Sequence, residues 1–173
     1  MKIGVLFIFI LLFLDQITKH LAKAFIQLSD PDIIWIPHVL QLAYRENRGA
    51  SGSMLQDQQF LFMIVTIIAL AMFGYLFLEV DFKKKKTYSF AVILFIAGTL
   101  GNAIDRALLG YVIDFLHYPF LDIILDVFNL SNFYNNFADL YLSLGIVLFA
   151  VDLFFFESKR KKEIPHDHVQ RTE

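Results

Sequence analysis

Two acids stand at the margins of apolar stretches: Asp114 in Gly110-Tyr111-Val112-Ile113-Asp114-Phe115 and Asp139 in Asn136-Phe137-Ala138-Asp139. A carboxylate beside hydrocarbon is costly, so an acid placed there is expected to carry function. Two carboxyl groups brought together cannot both ionise readily, and they can share one proton and activate a water between them. The chemistry open to such a pair is general acid–base hydrolysis, in which one acid takes a proton from water and the other polarises a carbonyl. Asp114 is flanked by β-branched and aromatic residues, which hydrate it poorly. Asn136 lies three residues before Asp139 on one helical face, where its amide can orient the carboxyl or simply cap the helix.

Other polar residues are spaced to support this pair. In Gly98-Thr99-Leu100-Gly101-Asn102-Ala103-Ile104-Asp105-Arg106, the small residues allow close helix approach and Asn102 offers both donor and acceptor. Asp105 and Arg106 can neutralise charge near an interface, and the stretch also reads as a plain helix-packing face with an interfacial ion pair. Asp15 and Lys19 are spaced i,i+4 and can pair on one helical face. Other chemistries lack a pattern. The chain has no cysteine, so thiol catalysis, disulfides and Cys-ligated metals are excluded. Its five histidines show no H-E-x-x-H spacing, so no metal site is expected. No motif links Ser51 with Lys19 as a nucleophilic pair, and no Gly-rich phosphate loop is present.

The elements that must position these residues are membrane spans. The 173 residues are 57% hydrophobic with mean hydropathy +0.58, and the apolar excess is clustered. Stretches such as Phe60 to Leu78 and Thr87 to Ile104 carry no charge and are long enough to cross a bilayer. The fold class expected is an all-α membrane protein with four transmembrane helices and a small β-rich extracytoplasmic subregion. The spans run from about Ile3 to Phe25, Gln58 to Val80, Tyr88 to Arg106 and Asn136 to Phe156. The N-terminal span, with Lys2 before it and Ala22-Lys23-Ala24 at its end, also has some look of a cleavable signal peptide, but Asp15, Lys19 and the even-numbered topology favour a retained helix.

Lys2, the run Lys83 to Lys86 and the cluster Lys159-Arg160-Lys161-Lys162 fall on one side of such a bundle. That side is expected to be cytoplasmic, with both termini there and the longer loops outside. A net charge of −2 gives no pull toward nucleic acid. In the first outward loop, Ile33 to Ile36 and Val39 to Arg45 read as short strands at the membrane surface. The second outward loop, 107–135, reads as a partly apolar flap in which Asp122 and Asp126 compete with Asp114. Residues 1–162 form one expected domain, and 163–173 a polar, disordered cytoplasmic tail. The acids also fit a small proton-coupled transporter, and the polar faces a noncatalytic scaffold.

Five motifs in order resemble the bacterial lipoprotein signal peptidases, or signal peptidase II. They are Leu14-Asp15-Gln16-Ile17-Thr18-Lys19, Asn47-Arg48-Gly49-Ala50, Gly98 to Arg106, Gly110 to Phe115, and Asn136 to Asp139. The resemblance implies a four-helix inner-membrane aspartic peptidase with Asp114 and Asp139 as its catalytic dyad. Asp15, Lys19, Asn47, Gly49, Gly98, Asn102, Arg106 and Asn136 would support the dyad and contact substrate. It further implies prolipoprotein substrates cleaved before a diacylglyceryl-modified cysteine, contact with membrane lipids, no cofactor, and inhibition by globomycin. Two departures stand out: Ser51-Gly52-Ser53 replaces the family's usual aromatic, and Ile123 to Ser131 lengthens the stretch between the acids.

Overall fold

The computed structural model describes residues 1–49, 59–128, 133–157 and 160. Among the described residues, four helices are long and apolar enough to cross a membrane: α1 (Lys2–Phe25), α2 (Gln59–Phe77), α3 (Lys86–Leu109) and α5 (Phe137–Val151), which continues through a π-helical turn at Asp152–Glu157. Helical spans satisfy every backbone hydrogen bond within the segment, the condition that lipid imposes. The expected spans are all present, with α2 ending at Phe77 and α3 running from Lys86 to Leu109. The lysine run lies in the turn between α2 and α3, where Asp81 Oδ1 accepts the backbone N–H groups of Lys83 and Lys84.

α3 is the central helix and packs against α1, α2 and α5. Its glycines set the spacing. A Cβ on Gly98 would stand 2.5 Å from the Ala138 carbonyl oxygen, and one on Gly101 would stand 3.0 Å from Ala138 Cβ. No side chain fits at either position, so α3 and α5 meet nearly backbone to backbone.

The β-rich part joins the helix ends. β1 (Ile33–Ile36), β2 (Leu40–Asn47), β3 (Val112–His117) and β4 (Tyr134–Asn135) form one antiparallel sheet in that order. The strands expected at 33–36 and 39–45 are there, and all four β1 residues, Trp35 included, are exposed.

The 107–135 segment departs from the expected flap. Its first part is β3, with all six residues buried and paired to β2 so that Asp114 faces Arg45. After it come the short helix α4 (Pro119–Leu125), a 3₁₀ turn at Asp126–Phe128, and β4. The local pattern of 112–117 shows no alternation because the strand is covered on both faces. Gly110, with φ +80°, ends α3 in the left-handed conformation and turns the chain directly into β3. Ser51-Gly52-Ser53, residues 129–131 of the lengthened stretch and the tail 163–173 lie outside the described residues.

Candidate active site

β3 supplies Asp114 and the first turn of α5 supplies Asp139. Between them stands Asn136, the N-cap of α5. Its side-chain oxygen accepts the Asp139 N–H at 3.1 Å, and Asp139 Oδ2 accepts the Asn136 N–H at 3.2 Å, a reciprocal capping box. The same Asn136 side chain donates through Nδ2 to Asp114 Oδ1 at 2.7 Å and to the Ile113 carbonyl at 3.1 Å. Capping and carboxylate orientation are therefore done by one residue.

Each carboxyl is held on both oxygens. Asn47 Nδ2 donates to Asp114 Oδ2 at 2.9 Å, and Asn102 Nδ2 donates to Asp139 Oδ1 at 2.7 Å. Burial first, and then the charge of Asp139, push the Asp114 carboxyl up to about 7, while the Asn47 and Asn136 amides act in the opposite direction.

Behind the acids lies a buried charge cluster. Lys19 Nζ, 1% exposed, pairs with Asp15 Oδ2 at 2.9 Å and Asp105 Oδ2 at 3.1 Å, and donates to Asn102 Oδ1 at 2.9 Å. The expected Asp15–Lys19 pair is thus present, and Lys19 fixes the orientation of the amide that holds Asp139. Asp15 Oδ1 also accepts the Ala138 N–H at 2.8 Å, tying α1 to the first turn of α5. Asp105 turns inward to Lys19, Gln16 Nε2 (3.0 Å) and the Ile113 N–H (3.0 Å), and these, not an interfacial pair with Arg106, are its direct partners. The attraction between carboxylate and ammonium is stronger in the low-dielectric interior, and a buried Lys19 ammonium left without its carboxylates would be costly. Arg106 lies over the Phe62 ring at 4.7 Å, within the electrostatic influence of Asp139, Asp114 and Asp105.

Gly49 is held near the acids because its N–H donates to Asn47 Oδ1 at 3.1 Å. Gly98 provides the α3–α5 contact described above. Asp122, the sequence rival of Asp114, is drawn to His117 Nε2 at 2.8 Å, and Asp126 lies in the 3₁₀ turn. Among the described residues, no group of three His, Cys, Asp or Glu side chains is placed to hold a metal ion.

The family model described as signal peptidase (SPase) II matches residues 7–155, a span that holds the whole cluster. The chain belongs to the signal peptidase II family. The lipoprotein signal peptidase of Streptococcus pyogenes serotype M2 (strain MGAS10270) is 34% identical over 152 residues, covering 88% of this chain and 93% of that one. That of Streptococcus thermophilus (strain CNRZ 1066) is 37% identical over 140 residues, or 81% of this chain and 84% of that one. A bacterial membrane enzyme solved by the in meso method at 1.9 Å superposes with TM-score 0.75 at 29% identity, covering 90% of this chain and 95% of its own. As a signal peptidase II family member the chain is a peptidase, and its four apolar helices make it a multi-pass bacterial membrane protein.

Two further side chains belong to this polar cluster although their sequence spacing does not link them to it. Gln16 donates to Asp15, the Gly101 carbonyl and Asp105 at 3.0–3.2 Å, and Asp105 anchors the start of β3. Both sit inside motifs that the sequence displays, yet their partners are more than eighty residues away for the α1–α3 bonds, where spacing rules give no signal. An apolar cavity of about 550 Å³ lies between the end of α1, the sheet and the start of α5. Phe115, Phe137 and Leu140 line it, and they are chain neighbours of Asp114 and Asp139.

Proposed function

We propose that this chain is an aspartic endopeptidase that removes the signal peptide of diacylglyceryl-modified prolipoproteins just before the lipidated cysteine. Asp114 and Asp139 are its catalytic dyad, and the observation that carries this reading is that one residue, Asn136, hydrogen-bonds both carboxyl groups. The pair holds one proton, as the raised Asp114 favours. The ionised member takes a proton from water, water attacks the scissile carbonyl, and the protonated member donates to the carbonyl oxygen. As the tetrahedral species collapses, the C–N bond breaks, the acid that took the water proton passes it to the leaving amine, and the other acid recovers its proton from the hydroxyl that reverts to a carbonyl. No covalent enzyme intermediate forms.

The surroundings fit that role. Asn47 and Asn102 hold the outer oxygens of the dyad, Lys19 and Asp15 hold Asn102 and the first turn of α5, and Arg106 supplies positive charge nearby. Gly49 and Gly98 keep backbone close to the site. The cavity beside the dyad strand is walled by apolar side chains and suits an acyl chain entering sideways from the bilayer. Lys2 and the run Lys83 to Lys86 lie at the bundle end opposite the sheet, which by the positive-inside rule favours cytoplasmic termini and a dyad near the outer leaflet.

The test uses purified full-length protein in detergent with a diacylglyceryl-modified prolipoprotein, with and without globomycin. Globomycin-sensitive cleavage is expected from the unaltered chain, and no cleavage from inserted, folded Asp114→Asn or Asp139→Asn. Activity retained by either variant removes that acid from the mechanism. Proton flux without cleavage would instead identify a transporter.

A further inference from the structure

β4 is only two residues long, Tyr134–Asn135, and its two register pairs are Leu116 with Asn135 and His117 with Tyr134. Yet the residue immediately after it is Asn136, which must meet Asp114 with hydrogen-bond accuracy. Two pairs in a terminal strand hold register weakly. Something further has to fix β4 on β3, and a charged cluster at the far end of that pairing is placed to do so.

His117 is its centre, with a side chain 8% exposed. Its Nδ1 lies 2.8 Å from Asp32 Oδ2 and 3.1 Å from Gln41 Oε1, and its Nε2 lies 2.8 Å from Asp122 Oδ2. With a carboxylate on each ring nitrogen, only the imidazolium form donates on both sides. Asp32 also takes the Arg45 guanidinium at 2.5 Å and the Tyr134 hydroxyl at 3.0 Å. The Tyr134 ring lies 4.6 Å from the His117 ring and under Arg45 at 4.9 Å. The cluster therefore joins the lead-in to β1, then β2, β3, α4 and β4. The charged and titratable groups facing His117 are Asp32, Asp122, Arg45 and Tyr134.

We propose that His117 is a positioning residue of the peptidase: clasped between Asp32 and Asp122, it locks Tyr134 and thereby sets where β4 delivers Asn136 to the dyad. This role rests on the peptidase reading above. Its signature is selective. A clasp that aims the dyad affects turnover more than substrate affinity, because it bears on the acids through Asn136 and none of its side chains lines the apolar cavity.

The experiment measures kcat and KM separately for the full-length protein on a lipid-modified prolipoprotein, normalised to folded protein. His117→Ala is expected to lower kcat at least about tenfold with KM within about twofold. His117→Gln, whose amide nitrogen carries two donors, is expected to recover most of that loss. Tyr134→Phe keeps the ring and loses only the hydroxyl bond to Asp32, so it serves if His117→Ala does not fold; its kcat is expected to fall about threefold to tenfold. Normal kcat in His117→Ala or in Tyr134→Phe overturns the positioning role while the unaltered chain still cleaves. Equal loss in His117→Ala and His117→Gln, with KM rising in step, overturns it too. If the unaltered chain does not cleave, the peptidase reading falls and takes this role with it.

Discussion

Asn136 and Asp114 are joined at 2.7 Å across the junction of a strand and a helix that are remote in sequence, and the backbone of the same asparagine binds Asp139. This bond converts two separately anchored acids into one unit. It also predicts how the unit fails.

Asn136→Ala loses both the N-cap and the bond to Asp114. A hydrogen bond to a charged group is worth about 1.5–3 kcal/mol, so kcat/KM should fall about tenfold to a hundredfold, with about 1 kcal/mol lost in stability. Asn136→Ser keeps a capping oxygen but offers no amide to Asp114. It should regain the stability and not the activity. Equal recovery of both would show that Asn136 acts only as a cap.

Titration of the site should appear in both rate and stability. Asp114 moves from 3.8 to about 7 on folding, so between these values the folded chain binds more proton than the unfolded chain. Rising pH therefore removes stability across that window, and the full penalty is present above about 7. Thermal denaturation should show a lower Tm at pH 8 than at pH 5, with a shallower pH slope in Asp114→Asn. The rate of cleavage should fall on the alkaline side near pH 7, as the shared proton is lost. A pH-independent Tm difference between the two proteins would contradict the raised carboxyl.

Lys19→Met leaves Asp15 and Asp105 buried beside each other without their common cation. Removal of one partner from a buried ion cluster costs about 3–5 kcal/mol. A large drop in the denaturation midpoint is expected, together with loss of cleavage, because Asn102 then loses the group that orients it. A near-normal midpoint would mean that the cluster contributes little to the fold.

Gly101→Ala would set a Cβ 2.5 Å from Asp15 Oδ2, disturbing the bond from Asp15 to the Ala138 N–H. Destabilisation and reduced turnover are expected, since overpacking costs about 1–3 kcal/mol. Gly74→Ala is the control. Its Cβ would meet nothing within 4 Å in the last turn of α2, and helix propensity makes it neutral or slightly stabilising.

Much of this protein was already determined by its linear sequence. Charge-free runs of bilayer length dictate spanning helices, because lipid offers the backbone no partner. The i,i+4 spacing of Asp15 and Lys19 and the three-residue spacing of Asn136 and Asp139 exposed pairs that a helix brings together unaided. The five ordered motifs pointed to the two acids. Tertiary structure alone decided the rest. Whether 112–117 is a flap or a strand depends on β2 arriving to pair with it, and no local pattern records that partner. Asp105 looked like the neighbour of Arg106 along the chain, but α1 brings a buried ammonium that attracts it more strongly. Asp122, a rival to Asp114 in the sequence, takes His117 as its partner only once the sheet forms. Local spacing is governed by helix geometry and is legible in one dimension, whereas the competition among charges for partners is settled only when packing brings distant segments together and excludes water.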